Sequence, residues 1–319
     1  MEKQGVWKKA LSRGFPRSRV HQSAGRPGRR KLVIPFVLPA LIIYTTFFVV
    51  PAVQAFWISL HNWSGFGLNM VYIGLGNYRE MLTDSTFWDA FRRTLIISVG
   101  GGVGLFLLAL FLAAILHRKL RGWKFFRAII FFPLVVPGVG LGLLWQFFYN
   151  SNWGPLSSAL EGLGLGALDK VWLGPDLLIP SLTIAIIWSY VGYYMVILLA
   201  GIDKIPPTYY EAAIIDGASE WQSFFRITLP MIWDVLVVAI ILWAINSLKI
   251  FDLIAATTFP APPTSSYTLT IYIWSEAAGS YNPVFRLGYA AALGVVLLVM
   301  IMIALAFIRL ITRREAIEY

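Results

Sequence analysis

The chain has 319 residues, of which 58% are hydrophobic and 13% charged, with a formal net charge of +10 and no cysteine. A soluble chain of this length could not bury that much apolar surface in one or two cores, so the composition excludes ordinary soluble domains and leaves the lipid bilayer as solvent. The missing cysteine excludes disulfides, thiolate metal sites and cysteine nucleophiles.

The basic tail of residues 1–31 carries Lys3, Lys8, Lys9, Arg13, Arg17, Arg19, Arg26, Arg29, Arg30 and Lys31. A tail of this kind flush against an apolar run fits a cytoplasmic anchor facing anionic headgroups better than a nucleic-acid surface, so no nucleic-acid partner is expected. The run 32–60 is too long for the apolar core of a signal peptide. Ser59-Leu60-His61-Asn62-Trp63 offers no small-residue cleavage site, so the run is expected to stay as the first transmembrane helix. Its span should begin after Pro35, and Pro51 should kink it or mark its outer end. An outer loop, 61–93, follows. The core 94–310 supplies five more runs of about 20 apolar residues, at 94–117, 128–148, 177–200, 235–254 and 287–310. A short tail, 311–319, closes the chain. The fold class is therefore all-α, a polytopic membrane protein with six transmembrane helices.

Orientation follows from Lys and Arg in the short connections. After the second run come Arg118, Lys119, Arg121, Lys124 and Arg127; after the fourth, Lys204 and Arg226; after the sixth, Arg313 and Arg314. The connections on the other side hold Lys170, with Lys249 and Arg286 at the edges of the last one, and Arg79, Arg92 and Arg93 as a local exception. The balance puts both termini in the cytoplasm.

Gly100 and Gly104 in the second run, and Gly138 and Gly142 in the third, have the four-residue spacing that lets helix backbones approach. Of the outer connections, 150–176 reads as a Gly- and Leu-rich loop and 257–263 as a proline-broken turn. Residues 266–278 are either helical or extended, since periodicity does not decide between them. No Gly-x4-Gly-Lys-Ser/Thr loop occurs, so the chain carries no P-loop of its own. His21, His61 and His117 are too scattered to build a metal site.

The connection 201–232 is longer than joining two spans requires. Pro206 and Pro207 should end the preceding helix. Thr208 fits an N-cap, with Glu211 closing a capping box, for a short helix running to Asp216. Gly217 sits where a left-handed residue belongs. Ser219 and Gln222 repeat the capping-box spacing, and Pro230 should reopen the chain into the fifth span. Tyr210, Ala213, Ile214, Trp221, Phe224 and Phe225 give this knob more apolar surface than a free loop shows, so a partner or the membrane interface must cover part of it.

This segment resembles the EAA motif of binding-protein-dependent ABC importer permeases. The matching residues are Glu211-Ala212-Ala213, then Gly217, then Ile227, Leu229 and Pro230, with every interval kept. The resemblance covers nearly the whole chain. Gly74-Leu-Gly-Asn-Tyr78 and the segment from Phe87 to Leu95 look like the lead-in to the permease core of sugar importers. Lys249-Ile-Phe-Asp-Leu253, Tyr272-Ile-Trp274 and Leu287-Gly-Tyr-Ala-Ala291 are similar to the maltose and glycerol-phosphate branch, and to its first permease subunit. That branch often has a Gly-Gly-Pro turn after the fifth span, where this chain has Phe259-Pro-Ala-Pro-Pro263.

The resemblance implies a type I ABC importer permease fold in the cytoplasmic (inner) membrane of a prokaryote. It implies a non-catalytic transport subunit that forms half of a pathway for a sugar or related polar solute. The implied partners are a second, different permease subunit, two cytoplasmic ATPase subunits and an extracytoplasmic solute-binding protein. This chain would hold no cofactor, with ATP and Mg on the partner ATPase. The ATPase-coupling residues would be Glu211, Ala212, Ala213, Asp216, Gly217, Ile227, Leu229 and Pro230, with residues 209–217 as the docking helix. Polar groups at membrane depth are the candidates for the pathway: Gln146, Trp188, Tyr190, Asn246, Ser247 and Lys249, with Ser189, Tyr194 and Asp252 beside them. The main rival is a transporter or channel that works alone, which usually shows internal repeats. None is evident here.

Overall fold

The computed structural model describes residues 28–67, 69–279 and 285–312, with the backbone alone for 28–35. The side chains of residues 1–31, and Arg313 and Arg314, lie outside this description. By contacts the chain divides into two units, residues 1–52 and 53–319.

The elements, in chain order, begin with α1 (Gly28–Tyr44), a π turn (Thr45–Val49) and α2 (Val50–Ser59), followed by the short strands β1 (His61–Asn62) and β2 (Val71–Tyr72). Next come α3 (Gly76–Thr83), α4 (Ser85–Leu95), a π turn (Ile96–Gly101) and α5 (Gly102–His117). α6 (Trp123–Phe131) runs into a 3-10 turn (Phe132–Val135), then α7 (Gly138–Phe148), α8 (Pro155–Gly162) and α9 (Leu178–Ile202). α10 (Pro207–Ile215), α11 (Glu220–Ser223), a π turn (Phe224–Thr228) and α12 (Leu229–Met231) form the long connection. α13 (Trp233–Ser247), α14 (Asp252–Thr258), α15 (Leu269–Ala278) and α16 (Leu287–Ile311) complete the chain. The two strands form a two-residue antiparallel ribbon, so the fold is all-α in substance.

Five helical stretches are long and apolar enough to cross a membrane: Phe36–Ser59, Ser85–His117, Leu178–Ile202, Trp233–Thr258 and Leu287–Ile311. The third expected span is not continuous. Trp123–Val135 and Gly138–Phe148 meet at 101°, and count as a sixth crossing only if the bent pair is one span. The bend falls at Val136-Pro137, where Val136 is extended and Pro137 is the uncapped N-cap of α7.

Neither of two prolines ends its helix as expected. Pro51 does not mark the outer end of the first helix, which continues to Ser59. Pro230 lies within helical residues that run to Met231, and the break comes at Ile232. In both places a π turn ends two residues before the proline. A proline removes the hydrogen bond to the carbonyl four residues back and crowds it. Those carbonyls, of Phe47 and Arg226, fall inside the widened turns, where the ladder is already re-paired.

In the first unit, the described side chains of residues 36–52 are all exposed. In the second, α9 is the central element and more than half of its residues are buried. Its Gly192 admits the α6 backbone: a Cβ there would stand 2.1 Å from the Ile130 carbonyl oxygen. Gly138 and Gly142 pack α7 on α14, where a Cβ on Gly142 would stand 2.5 Å from the Ala256 Cβ. The Gly100/Gly104 pair acts in this way only at Gly104, where a Cβ would stand 3.1 Å from the Ile187 side chain of α9. Gly100 faces nothing within 4 Å, and the close approach is at Gly102, against the Trp243 indole.

The connection 150–176 holds α8 and a 3-10 turn, and 269–278 is helical, which settles the alternative left open by periodicity. A second core joins α3, α4, α15 and α16 around Met81, Phe87, Leu269, Tyr272 and Tyr289. Asp84, the N-cap of α4, fastens it. One carboxylate oxygen accepts from the Thr86 N–H; the other accepts from the Tyr272 and Tyr289 hydroxyls, each at 2.6 Å. Beside it, Arg286 pairs with Glu80 and Glu276.

Candidate functional site

The connection 203–232 forms two short helices, but the first starts two residues earlier than expected. Pro206 is the N-cap of α10 and Pro207 its first helical residue, with no side-chain cap. The Thr208–Glu211 capping box is therefore not formed. Proline suits that first position because its φ is preset and its missing N–H would have had no partner in the helix. α10 ends as the glycine requires. Gly217 has φ +73°, its N–H donates to the Ile214 carbonyl, and the Ala218 N–H donates to the Ala213 carbonyl at 2.9 Å. The second cap forms as expected: Ser219 N–H donates to Gln222 Oε1 at 2.7 Å, and Gln222 N–H donates to Ser219 Oγ at 3.3 Å.

Three side-chain ties hold this knob. The Tyr210 and Thr228 hydroxyls bond at 2.9 Å, joining the two halves of the loop. His117 meets Asp203 at 3.0 Å, and Arg118 pairs with Glu220, so the end of α5 is fastened to both sides of α10. A cavity of about 410 Å³ lies between them, lined by His117, Tyr210, Glu211 and Ile214 among others. The outer face of the knob is apolar and uncovered, with Ile215 86%, Ile214 71% and Trp221 70% exposed. Ala213 is buried, whereas Ala212, Asp216 and Gly217 are exposed; Ile227, Leu229 and Pro230 are half-buried under the knob. Glu211 is exposed, and it makes no hydrogen bond or ion pair among the described residues.

A second cavity, of about 570 Å³, opens where two helices break. One break is 134–138, between α6 and α7. The other is 249–253, between α13 and α14. Broken helices leave backbone groups unpaired at membrane depth, and these are tolerated where they line a cavity. Of the six pathway candidates, Tyr190, Asn246 and Lys249 line it together, joined by Ser189, Phe251 and Asp252. The other three do not. Gln146 is exposed on α7, Trp188 rests its ring against Trp145 at 5.5 Å, and Ser247 is buried with its hydroxyl donating to the Ala244 carbonyl. The breaks themselves went unread in the sequence, although Pro137 and the polar Lys249-Ile-Phe-Asp252 run signal them.

Residues 105–317 match the family described as binding-protein-dependent transport system inner membrane component. The chain belongs to this family. It is a non-catalytic permease subunit, a multi-pass protein of the inner membrane. The permease is similar to the diacetylchitobiose uptake system permease protein of Streptomyces coelicolor, at 34% identity over 91% of this chain and 86% of that one. It is likewise similar to the trehalose/maltose transport system permease protein of Thermococcus litoralis, at 34% identity over 76% and 81%. In structure it resembles a chain of the bacterial alginate ABC transporter solved with an alginate pentasaccharide-bound periplasmic protein. That likeness has a TM-score of 0.75 at 25% identity and covers 90% of this permease and 96% of that chain.

Proposed function

We infer that this permease forms half of the translocation pathway for a sugar or related polar solute and receives work from a separate ATPase through the loop 203–232. The observation that carries this reading is the knob itself, a doubly capped, internally bonded pair of helices whose apolar face no described residue covers. Glu211 adds to it. With no capping role and no partner among the described residues, its carboxylate is available to a basic group on the ATPase. The knob would face the cytoplasm with both termini, and ATP and Mg would sit on the two ATPase subunits. A second permease chain would complete the pathway, and a solute-binding protein would deliver to it.

The cavity at the two breaks supports the pathway half of the reading. It offers an aromatic ring, an amide and one charge of each sign, which suits a hydroxyl-rich solute. The named solutes of the relatives, diacetylchitobiose and trehalose or maltose, are of this kind.

Gly217→Val is the direct test. A β-branched residue resists positive φ, so the spans should fold while recovery of the ATPase with the permease falls. Unchanged complex recovery and unchanged ATP-dependent uptake in liposomes would remove the coupling role. Asn246→Leu with Tyr190→Ala should lower uptake and leave the complex intact. Uptake retained at full rate would move the pathway elsewhere.

A further inference from the structure

The segment that follows α5 carries more charge than topology alone requires. Arg118, Lys119, Arg121, Lys124 and Arg127 fall within ten residues, and no Asp or Glu occurs between Asp89 and Glu161. Of these cations, Arg118 pairs with Glu220. The other four form no ion pair among the described residues, and Lys119, Arg121 and Lys124 are exposed. The turn that presents them has two left-handed residues, Lys119 at φ 51° and Gly122 at φ 86°.

α6 then fixes how this segment meets its surroundings. Trp123 and Ile130 pack on the core, while Phe125, Phe126, Ile129 and Phe132 are all more than half exposed. Cations at one end and exposed rings along the helix describe a helix that starts at a headgroup boundary. At the end of α5, that helix and the second loop helix leave an apolar groove of about 530 Å³, lined by Leu107, Phe111, Ile115, Trp221 and Phe225, with the Arg118–Glu220 pair at its edge. A groove for hydrocarbon, with the unpaired cations starting at Lys119, one residue beyond its edge, matches one occupant on charge and polarity together.

We propose that this face binds an anionic phospholipid, its phosphate on the 119–127 cations and an acyl chain in the groove between α5 and α11. Because the groove includes Trp221 and Phe225 of the knob, the lipid holds the loop against the end of α5. The site does not depend on the sugar reading or on the identity of the ATPase.

Native mass spectrometry of the purified full chain, exchanged into phosphatidylglycerol or phosphatidylcholine with identical acyl chains, tests this. The wild type should retain phosphatidylglycerol about tenfold better, given the energy of a few basic groups at a charged headgroup. The pairs Lys119→Gln with Arg121→Gln, and Lys124→Gln with Arg127→Gln, should each erode that preference. Exchanging Lys and Arg for one another at the same positions should keep it, and neutralising Lys8, Arg13, Arg17 and Arg19 in the tail should leave it unchanged. Leu107→Trp, which fills the groove, should lower retention of both lipids alike. A wild type indifferent to headgroup overturns the proposal, as does a preference that survives both glutamine pairs. Displacement of the lipid by millimolar inorganic phosphate would show a free-anion site instead. Loss of a copurifying protein with lipid retention intact would show that the cations serve a protein partner.

Discussion

Gly192 and Gly100 sit in neighbouring spans and look alike in the sequence, yet the structure uses them oppositely. At Gly192 any Cβ meets the Ile130 carbonyl at 2.1 Å, and the obstacle is backbone that cannot rotate away. Gly192→Ala should therefore lower stability by about 2 kcal/mol or more, in the range of overpacked cores. Gly100 has open space around it, so Gly100→Ala should be close to neutral. Thermal unfolding in detergent separates the two, and equal effects would contradict the packing described here. The four-residue spacing identified Gly138 and Gly142 correctly because α7 is a regular helix over that stretch. It held at Gly104, which meets Ile187, but misread Gly100, which lies inside the π turn Ile96–Gly101 and out of 3.6-residue periodicity. The approach to Trp243 falls on Gly102 instead. The knob was legible for a related reason: its caps are local, set by Ser219, Gln222 and Gly217 within a few bonds. Thr208 failed because a proline one residue earlier competed for the helix start.

Among the elements, the Asp84 clamp has consequences at acid pH. Burial pushes the Asp84 carboxyl up, but the Tyr272 and Tyr289 hydroxyls and the Thr86 and Phe87 N–H groups outweigh it and hold it below its ordinary 3.8. A lowered carboxyl contributes stability that is present above the unfolded value and lost as pH falls through the folded one. Unfolding followed below pH 4 should therefore show an acid loss that Asp84→Asn reduces, with the variant less stable than wild type at neutral pH. Glu276 runs the other way. Burial raises it, Arg286 only partly offsets this, and Asp84 and Glu80 raise it further. A raised carboxyl is stabilising below its unfolded value and loses that contribution as pH rises. Glu276→Gln should thus gain stability at neutral pH, the gain shrinking toward pH 4; a constant offset across that range would reject the assignment. None of this was legible in the sequence, where Asp84, Tyr272 and Tyr289 stand some 200 positions apart. The break in the third span was readable in principle, since Pro137 interrupts an apolar run. Hydropathy averages over such a residue and reports only that the segment is greasy.

Across the second unit as a whole, α9 joins the two candidate sites. Tyr190 lines the cavity at the breaks, and twelve residues on, about 18 Å at helical rise, α9 ends at Ile202. Asp203 then takes the His117 contact, and Pro206-Pro207 launches the knob. The helix is buried along most of its length and packs on α5 and α6, so a push on the knob reaches Tyr190 as a displacement of one rigid element rather than through a flexible chain. The stiffness of the joint rests on two prolines and on the His117 and Arg118 ties, of which the ion pairs are exposed and individually worth little. The prolines are thus the decisive part. Replacing Pro206 and Pro207 together by glycine should leave the buried spans folded and the knob caps in place, since neither Gly217 nor Ser219 is touched. ATP hydrolysis by the assembled complex should continue while uptake per ATP falls several-fold. Arg118→Ala should have a much smaller effect on the same ratio. If the double-glycine permease transports with an undiminished ratio, α9 is not the lever, and work must reach the cavity through α13, the other element that borders both the loop and the breaks.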